Sequence, residues 1–537
     1  MGLRMINWRA VLMVNGVLSL ILAAFMLIPL SLDLIDGHPA WQSFASAMFT
    51  TVFVGVGTLL TTWHKADRMS VRDAFLITTS AWVVIAGFAA LPFYFGNFHA
   101  AETGYWMDFT DAFFESMSGI TTTGATIVID LESMSRGMLL WRSLLQWLGG
   151  IGIIVMAVSV LPMLQIGGMQ LFKVEGFETE GKALPKAVDM ATGIVAIYTA
   201  LTMICLLSYV AAGMTGFDAV AHAMTTIATG GYSTKNASIG HFEMPMVPYV
   251  ATTFMLLSSL PFIQYVKVIN NWSLKALFQD RQVQTFLIIA ALAIVSATAY
   301  LTLNATSCGD YFRPSASWSL TVEQNCPVTW ELWATGRELT GDQSLLPPGI
   351  GVEEAFRLAA FNVVSLLTGT GYASDNYELW GPAATAFFFI IMFVGGCAGS
   401  TTCGIKVFRF MVLWQATKVQ LKRLLQPNGV FLPYYNGRRI PPDIPISVLS
   451  FFFMFAASFA LLALVLMMLG LDFLTAWSGA GSAIANVGPG LGEIIGPTGN
   501  FEPLPQAAKW VLCAGMLLGR LELFCVMVLL LPSFWRR

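Results

Sequence analysis

The chain has 537 residues, of which 56% are hydrophobic and only 11% charged, with a mean hydropathy of +0.69. No single soluble core absorbs that much apolar surface, so a soluble globular protein is excluded and an all-α membrane protein is expected. The formal net charge of −3 says little by itself, because in a membrane protein the placement of the positive residues carries the information, and nothing in it points to a nucleic-acid partner.

A hydrocarbon core of about 30 Å calls for roughly 20 apolar residues per spanning helix. Such stretches predict spans over 8–30, 41–62, 74–96, 136–163, 191–213, 247–270, 284–303, 381–403, 405–425, 446–470 and 507–531. The first is too long for a signal-peptide core and lacks a small-residue cleavage site, so it reads as a retained helix. Ile6 stands where a myristoylation motif needs Ser or Thr. Four shorter helical stretches, 108–118, 217–228, 353–366 and 473–485, are too short to span, and each runs into a Gly- and Thr-rich segment. They read as re-entrant, entering from the outside.

With the N-terminus inside, 20 of the 28 basic residues fall on the cytoplasmic side, as the positive-inside rule asks, and the C-terminus is cytoplasmic too. Five of the seven cysteines lie in apolar spans. Cys308 and Cys326 lie in the long polar loop 304–352, which this topology makes external and oxidising; a disulfide and two free thiols are both open.

The ends of the short helices align as SGITTTGAT (118–126), TTIATGGYS (225–233), LLTGTGYAS (366–374) and AIANVGPGL (483–491). Each contains a Thr or Val before a Gly: Thr123-Gly124, Thr229-Gly230, Thr370-Gly371 and Val487-Gly488. Any one pair suits a turn or helix packing; four at matched places, with glycines 106, 141 and 117 residues apart, form an internal repeat. The expected architecture is four pseudo-repeats of helix, pore helix with filter loop, and helix around one pore. Two extra N-terminal transmembrane helices precede them. The expected boundaries are 1–66 for the extra pair, then 67–170, 185–275, 280–425 and 440–537 for the repeats. Rings of backbone carbonyls replace the hydration shell of potassium, glycine admits the backbone conformations this needs, and four helix C-termini pointing at one axis favour a cation.

TDAFFESMSGITTTGAT (110–126), FDAVAHAMTTIATGGYST (217–234), FRLAAFNVVSLLTGTGYAS (356–374) and AIANVGPGLG (483–492) resemble the four filter regions of the Trk/Ktr/HKT superfamily of potassium transporters, most closely its bacterial TrkH/TrkG type. The resemblance covers about residues 60–537 and implies potassium uptake across the bacterial inner membrane. It implies potassium binding by carbonyls of Thr122, Thr123, Gly124, Ala228, Thr229, Gly230, Gly369, Thr370, Gly371, Asn486, Val487 and Gly488. It further implies a homodimer and a cytoplasmic ring of nucleotide-binding regulatory subunits. By the same resemblance, the presence of all four filter glycines implies a preference for potassium over sodium.

GGCAGSTTCGIK (395–406) puts a Gly-rich break inside an apolar span, where freed backbone groups need partners unless it is a surface turn. It resembles the family's intramembrane gating loop, which implies a gate of Gly395, Gly396, Gly399, Ser400, Thr401, Gly404 and Lys406; Thr402 and Cys403 depart from the usual Gly-rich form. Arg520 lies near mid-bilayer, where a charge is costly and by default functional. Glu522 is expected on another helix face. The resemblance places Arg520 in the pore below the filter, and a buried ion pair is the alternative.

The five histidines are scattered and form no metal or triad spacing. Gly149-Gly150-Ile151-Gly152 follows no strand, so it is no dinucleotide loop. An enzyme is therefore not expected. A proton- or sodium-coupled symporter remains the alternative, although no chain of carboxylates crosses the apolar spans.

Overall fold

Several helix starts in this chain are fixed by polar caps set just ahead of apolar runs. Asn7 accepts from the N–H of Ala10 to open α1 (Trp8–Ile35), which packs along α2 (Trp41–Thr62). Ser70 and Asp73 form a reciprocal capping box at the head of α3 (Val71–Ala89), and Asp73 also accepts from the N–H of Asn7, so the two helix starts are tied together. The computed structural model of the protein describes residues 6–63, 70–96, 99–100, 105–159, 183–305 and 351–536. Cys308 and Cys326 lie outside the described residues, as does most of the 304–352 loop.

After α4 (Leu91–Phe95) a short antiparallel hairpin, β1 (His99–Ala100) with β2 (Tyr105–Trp106), leads into α5 (Phe109–Ile120) and then α6 (Arg136–Ser159). The second unit comprises α7 (Ala183–Ala211), α8 (Gly216–Ile227), α9 (Met246–Ser258) and α10 (Phe262–Asn271). A short helix, α11 (Lys275–Phe278), follows, and the third unit comprises α12 (Arg281–Ala305), α13 (Val352–Leu367), α14 (Pro382–Ile391) and α15 (Val407–Leu425). A second hairpin, β3 (Tyr434–Tyr435) with β4 (Arg438–Arg439), precedes α16 (Asp443–Met468), α17 (Phe473–Ala485), α18 (Gln506–Arg520), α19 (Phe524–Leu530) and α20 (Pro532–Trp535). Among the described residues seven helices are long and apolar enough to cross a bilayer, or nine if each of two bent pairs counts as one span. The protein is a multi-pass helical membrane protein.

Four helices, α5, α8, α13 and α17, are the short ones, and all four are buried along most of their length. Asp108, Thr215 and Asp472 cap three of them by accepting backbone N–H groups, and acidic residues fill the first turn of α5, α8 and α13, where the helix dipole favours them. Each is clasped by a long helix of its own unit, and α5, α8 and α13 also touch α18, α6 and α9 of the neighbouring units. Trp8 stacks on Trp535 with ring centroids 6.4 Å apart, and Arg72 donates to the carbonyl of Arg536, so the start of α1, the start of α3 and the C-terminal end share one side.

Three expected continuous spans are broken. The stretch 247–270 bends by 87° between α9 and α10, because Pro261 has no N–H to continue the helix. The stretch 507–531 bends by 116° between α18 and α19, with Glu522 and Leu523 in the left-handed region. The stretch 381–403 is helical only to Ile391, after which Gly395 and Gly396 open an irregular loop.

Candidate ion-conduction site

Each short helix ends in the same turn. The N–H groups of Thr123, Gly230, Thr370 and Val487 donate to the carbonyls of Ser118, Thr225, Ser365 and Ser482, five residues back in every case, at 2.8–3.0 Å. Closing that turn puts one residue left-handed, namely Thr122 (φ +53°), Thr229 (φ +50°), Gly369 (φ +70°) and Asn486 (φ +51°). Two residues on, the chain is left-handed again at Gly124 (φ +88°), Gly231 (φ +82°), Gly371 (φ +80°) and Gly488 (φ +105°), always at glycine.

This pattern corrects the second repeat by one residue. Gly231, not Gly230, is the counterpart of Gly124, and Gly230 occupies the place of Thr123, Thr370 and Val487. Ala228 is a right-handed helix cap like Thr121 and Thr368, so it falls below the filter turn. The pairing of Gly231-Tyr232 with Gly371-Tyr372 was the sequence signal that gives the register.

The four strands close on one another in a ring. A Cβ added to Gly124 would overlap the carbonyl oxygen of Gly230, one on Gly231 that of Thr370, and one on Gly371 that of Val487. One on Gly488 would lie 2.8 Å from the carbonyl oxygen of Thr123. Among the described residues, no hydrogen bond reaches the carbonyls of Thr122, Thr123, Gly124, Thr229, Gly231, Gly369, Thr370, Gly371, Asn486 or Val487. Buried backbone acceptors are seldom left so, and a cluster of them around an axis is a cage for a cation or its water.

The loop 395–406 is folded tightly beneath this ring. Its ends meet at a parallel bridge between Val394 and Ile405, and Gly404 donates to the carbonyl of Ala485 at the end of α17 (3.0 Å). Its other contacts go to the break after α9: Cys397 and Thr401 donate to the carbonyls of Ser259 and Ser258, and Phe262 donates to that of Gly399. The backbone groups freed by Pro261 are thus satisfied by the loop, which answers the demand that irregular backbone at this depth must meet. Ser400 donates to the carbonyl of Cys397, and Lys406 to that of Thr402.

Arg520, buried at the end of α18, donates through Nη1 to Cys403 Sγ (3.0 Å) and through Nη2 to the carbonyl of Gly149 (3.1 Å). Its Nε has no partner among the described residues. Cys403 Sγ in turn lies 3.6 Å from Thr122 Oγ1, so Arg520, the loop and the first filter residue are in series. Glu522 pairs with Arg409 rather than Arg520. A small cavity under the filter is lined by Asn486, Cys403, Lys406, Arg409, Arg520 and Glu522.

A profile of the TrkH family, described as cation transport proteins, matches residues 40–536. The chain belongs to that family. It is 41% identical over 532 residues to the Trk system potassium uptake protein TrkI of Halomonas elongata, covering 99% of this chain and 98% of that protein. It is 33% identical over 532 residues to the Trk system potassium uptake protein TrkH of Escherichia coli, covering 99% and 100%. Its fold matches the crystal structure of the potassium transporter TrkH from Vibrio parahaemolyticus with a TM-score of 0.83 at 30% identity, covering 99% of this chain and all of that one. TrkH-family proteins are transporters, not enzymes.

Sequence reasoning missed the frame behind the filter. Arg142 is fully buried, pairs with Glu115 at 2.7 Å, donates to Thr126 Oγ1 and to the carbonyl of Ser233, and stacks 4.0 Å from the Tyr232 ring centroid. Lys509 pairs with Asp111 at 2.6 Å. Gly149 also acquires a reason: a Cβ there would strike the carbonyl of Ile120, so glycine lets α6 press against the end of α5.

Proposed function

We propose that the protein takes up potassium through a four-repeat filter made of Thr122-Thr123-Gly124, Thr229-Gly230-Gly231, Gly369-Thr370-Gly371 and Asn486-Val487-Gly488, with potassium as the transported cargo. The observation that carries this reading is the ring in which each filter glycine abuts the next repeat's carbonyl, with most of those carbonyls free of protein donors. The Trk system potassium uptake proteins among its relatives support the choice of ion. Carbonyls at fixed spacing replace water around the ion, and the C-terminal ends of α5, α8, α13 and α17 add negative potential.

In this reading the loop 395–406 is the gate, because it closes the inner end of the filter, and Arg520 is an electrostatic barrier that also holds the gate through Cys403. In this reading an N-terminal helix pair at 1–66 is followed by four repeats at 67–170, 185–275, 280–425 and 440–537. The protein lies in the bacterial inner membrane with both termini cytoplasmic. By the same family resemblance it forms a homodimer and is regulated by a ring of nucleotide-binding subunits on the cytoplasmic side. The test is flux through purified protein in liposomes with potassium or sodium as the sole permeant cation. Potassium flux well above sodium flux is expected, and equal fluxes would overturn the assignment of the filter.

A further inference from the structure

The second repeat is the one whose filter strand lacks a side chain at the middle position. In the first and third repeats that position is Thr123 and Thr370, and each hydroxyl is 2.7 Å from the hydroxyl of the threonine two residues earlier, Thr121 or Thr368. In the second repeat the corresponding residues are Gly230 and Ala228, so this brace is missing. The space is filled from outside the strand. Gln146 of α6, fully buried, puts its side-chain amide where a Cβ on Gly230 would stand. Its Nε2 donates to the carbonyl of Gly230 at 2.6 Å, and its Oε1 accepts from the N–H of Tyr232 at 3.1 Å. The Tyr232 N–H can only donate, so the amide orientation is fixed by its partners.

We propose that Gln146 is a positioning residue for potassium selectivity, standing in for the missing threonine by clamping the Gly230–Tyr232 strand from behind. One turn earlier on the same face of α6, Arg142 holds the carbonyl of Ser233, so the helix grips the strand at both ends. Gln146 acts through the strand rather than on the ion. It also makes the ring unequal: the Gly230 carbonyl shares its density with an amide N–H, whereas no hydrogen bond reaches the carbonyls of Thr123, Thr370 and Val487 among the described residues. The inference rests on the filter reading given above.

The geometry supplies its own rescue. Gly230, unlike Gly231, is not in the left-handed region, and the nearest atoms a Cβ would meet all belong to the Gln146 side chain. Removing that side chain therefore makes room for the threonine that the first and third repeats use, and Ala228→Thr supplies the second hydroxyl of their brace. Three proteins are compared with the parent in liposomes, by potassium and sodium flux normalised to folded protein: Gln146→Ala, the threonine pair Ala228→Thr with Gly230→Thr in the Gln146→Ala background, and Gly371→Ser as a filter control. Loss of two hydrogen bonds at the strand is expected to lower the potassium-to-sodium ratio by about fivefold in Gln146→Ala. The pair is expected to recover most of it, which a purely structural role for Gln146 would not produce. If Gly371→Ser changes the ratio and folded Gln146→Ala does not, or if the pair is no more selective than Gln146→Ala, the positioning role is overturned while the filter stands. If Gly371→Ser leaves the ratio unchanged, the filter reading itself fails, and the positioning role with it. Should Gln146→Ala alone not fold, the folded pair decides: a parental ratio supports the role and a reduced ratio overturns it.

Discussion

Replacing Gly231 with Ala tests the register of the second repeat. At φ +82° any residue with a Cβ is held in a conformation that costs about 1–2 kcal/mol. The added methyl would also overlap the carbonyl oxygen of Thr370, a backbone atom of the next filter strand that cannot swing aside. Relief has to come from moving one strand or the other, and either movement changes the cage. With about 1.4 kcal/mol to each factor of ten, strain of this size corresponds to roughly a tenfold loss in the potassium-to-sodium permeability ratio. Gly230→Ala meets no left-handed backbone but displaces the Gln146 amide, so its effect is expected to match the roughly fivefold loss of Gln146→Ala and to stay below that of Gly231→Ala. Reversal potentials in bilayers under mixed potassium and sodium gradients read both variants directly. A larger loss in Gly230→Ala than in Gly231→Ala would refute the register.

Arg520→Ala is expected to raise potassium flux with little change in selectivity, because two unit charges about 6 Å apart at an effective dielectric near 20 repel by about 3 kcal/mol. That compares with about 2.3 kcal/mol supplied by 100 mV, and a folded Arg520→Ala protein with unchanged or lower liposome flux would contradict the barrier. Shortening the loop by removing Ala398, Gly399 and Ser400 should raise basal flux, since it deletes contacts to Gln282 and Phe262 that hold the gate; parental flux from folded protein would sink that role. Arg142→Leu leaves Glu115 buried without its partner and should cost about 3–5 kcal/mol, measured by thermal unfolding in detergent, and less when Glu115→Leu is added. Val487→Thr should be mild in both flux and selectivity, because its carbonyl rather than its side chain meets Gly371 of the third repeat.

The four short helices were legible to within a residue or two, because capping residues and abrupt Gly- and Thr-rich ends mark them in the sequence. The left-handed glycine after each short helix was legible in three repeats, where a single glycine follows the Thr or Val; in the second, Gly230 and Gly231 stand together and only the tyrosine after them resolves which is strained. Pro261 announces the break between α9 and α10, but the partner it waits for, the loop at 395–406, lies more than a hundred residues away. The break after Arg520 carries no Gly or Pro. It accompanies the Arg409–Glu522 pair, which joins residues 113 apart in the chain and is invisible to any local pattern. Gln146, Arg142 and Gly149 read as ordinary members of an apolar helix until the filter is placed beside them.

The ring of glycines has a handedness, since each quadrant leans on the carbonyl of the one that follows it in the chain, and the last leans on the first. A pore assembled from four identical subunits would have to repeat every alteration four times. Here all four quadrants belong to one polypeptide, so a substitution is written once and its strain is handed to a single defined neighbour. The second quadrant has already diverged in this way, with an internal glycine and a helix side chain in place of a threonine, and the fourth carries a valine. Drift in this family can thus retune one corner of the cage at a time, and the corner that answers a given mutation is the next one round.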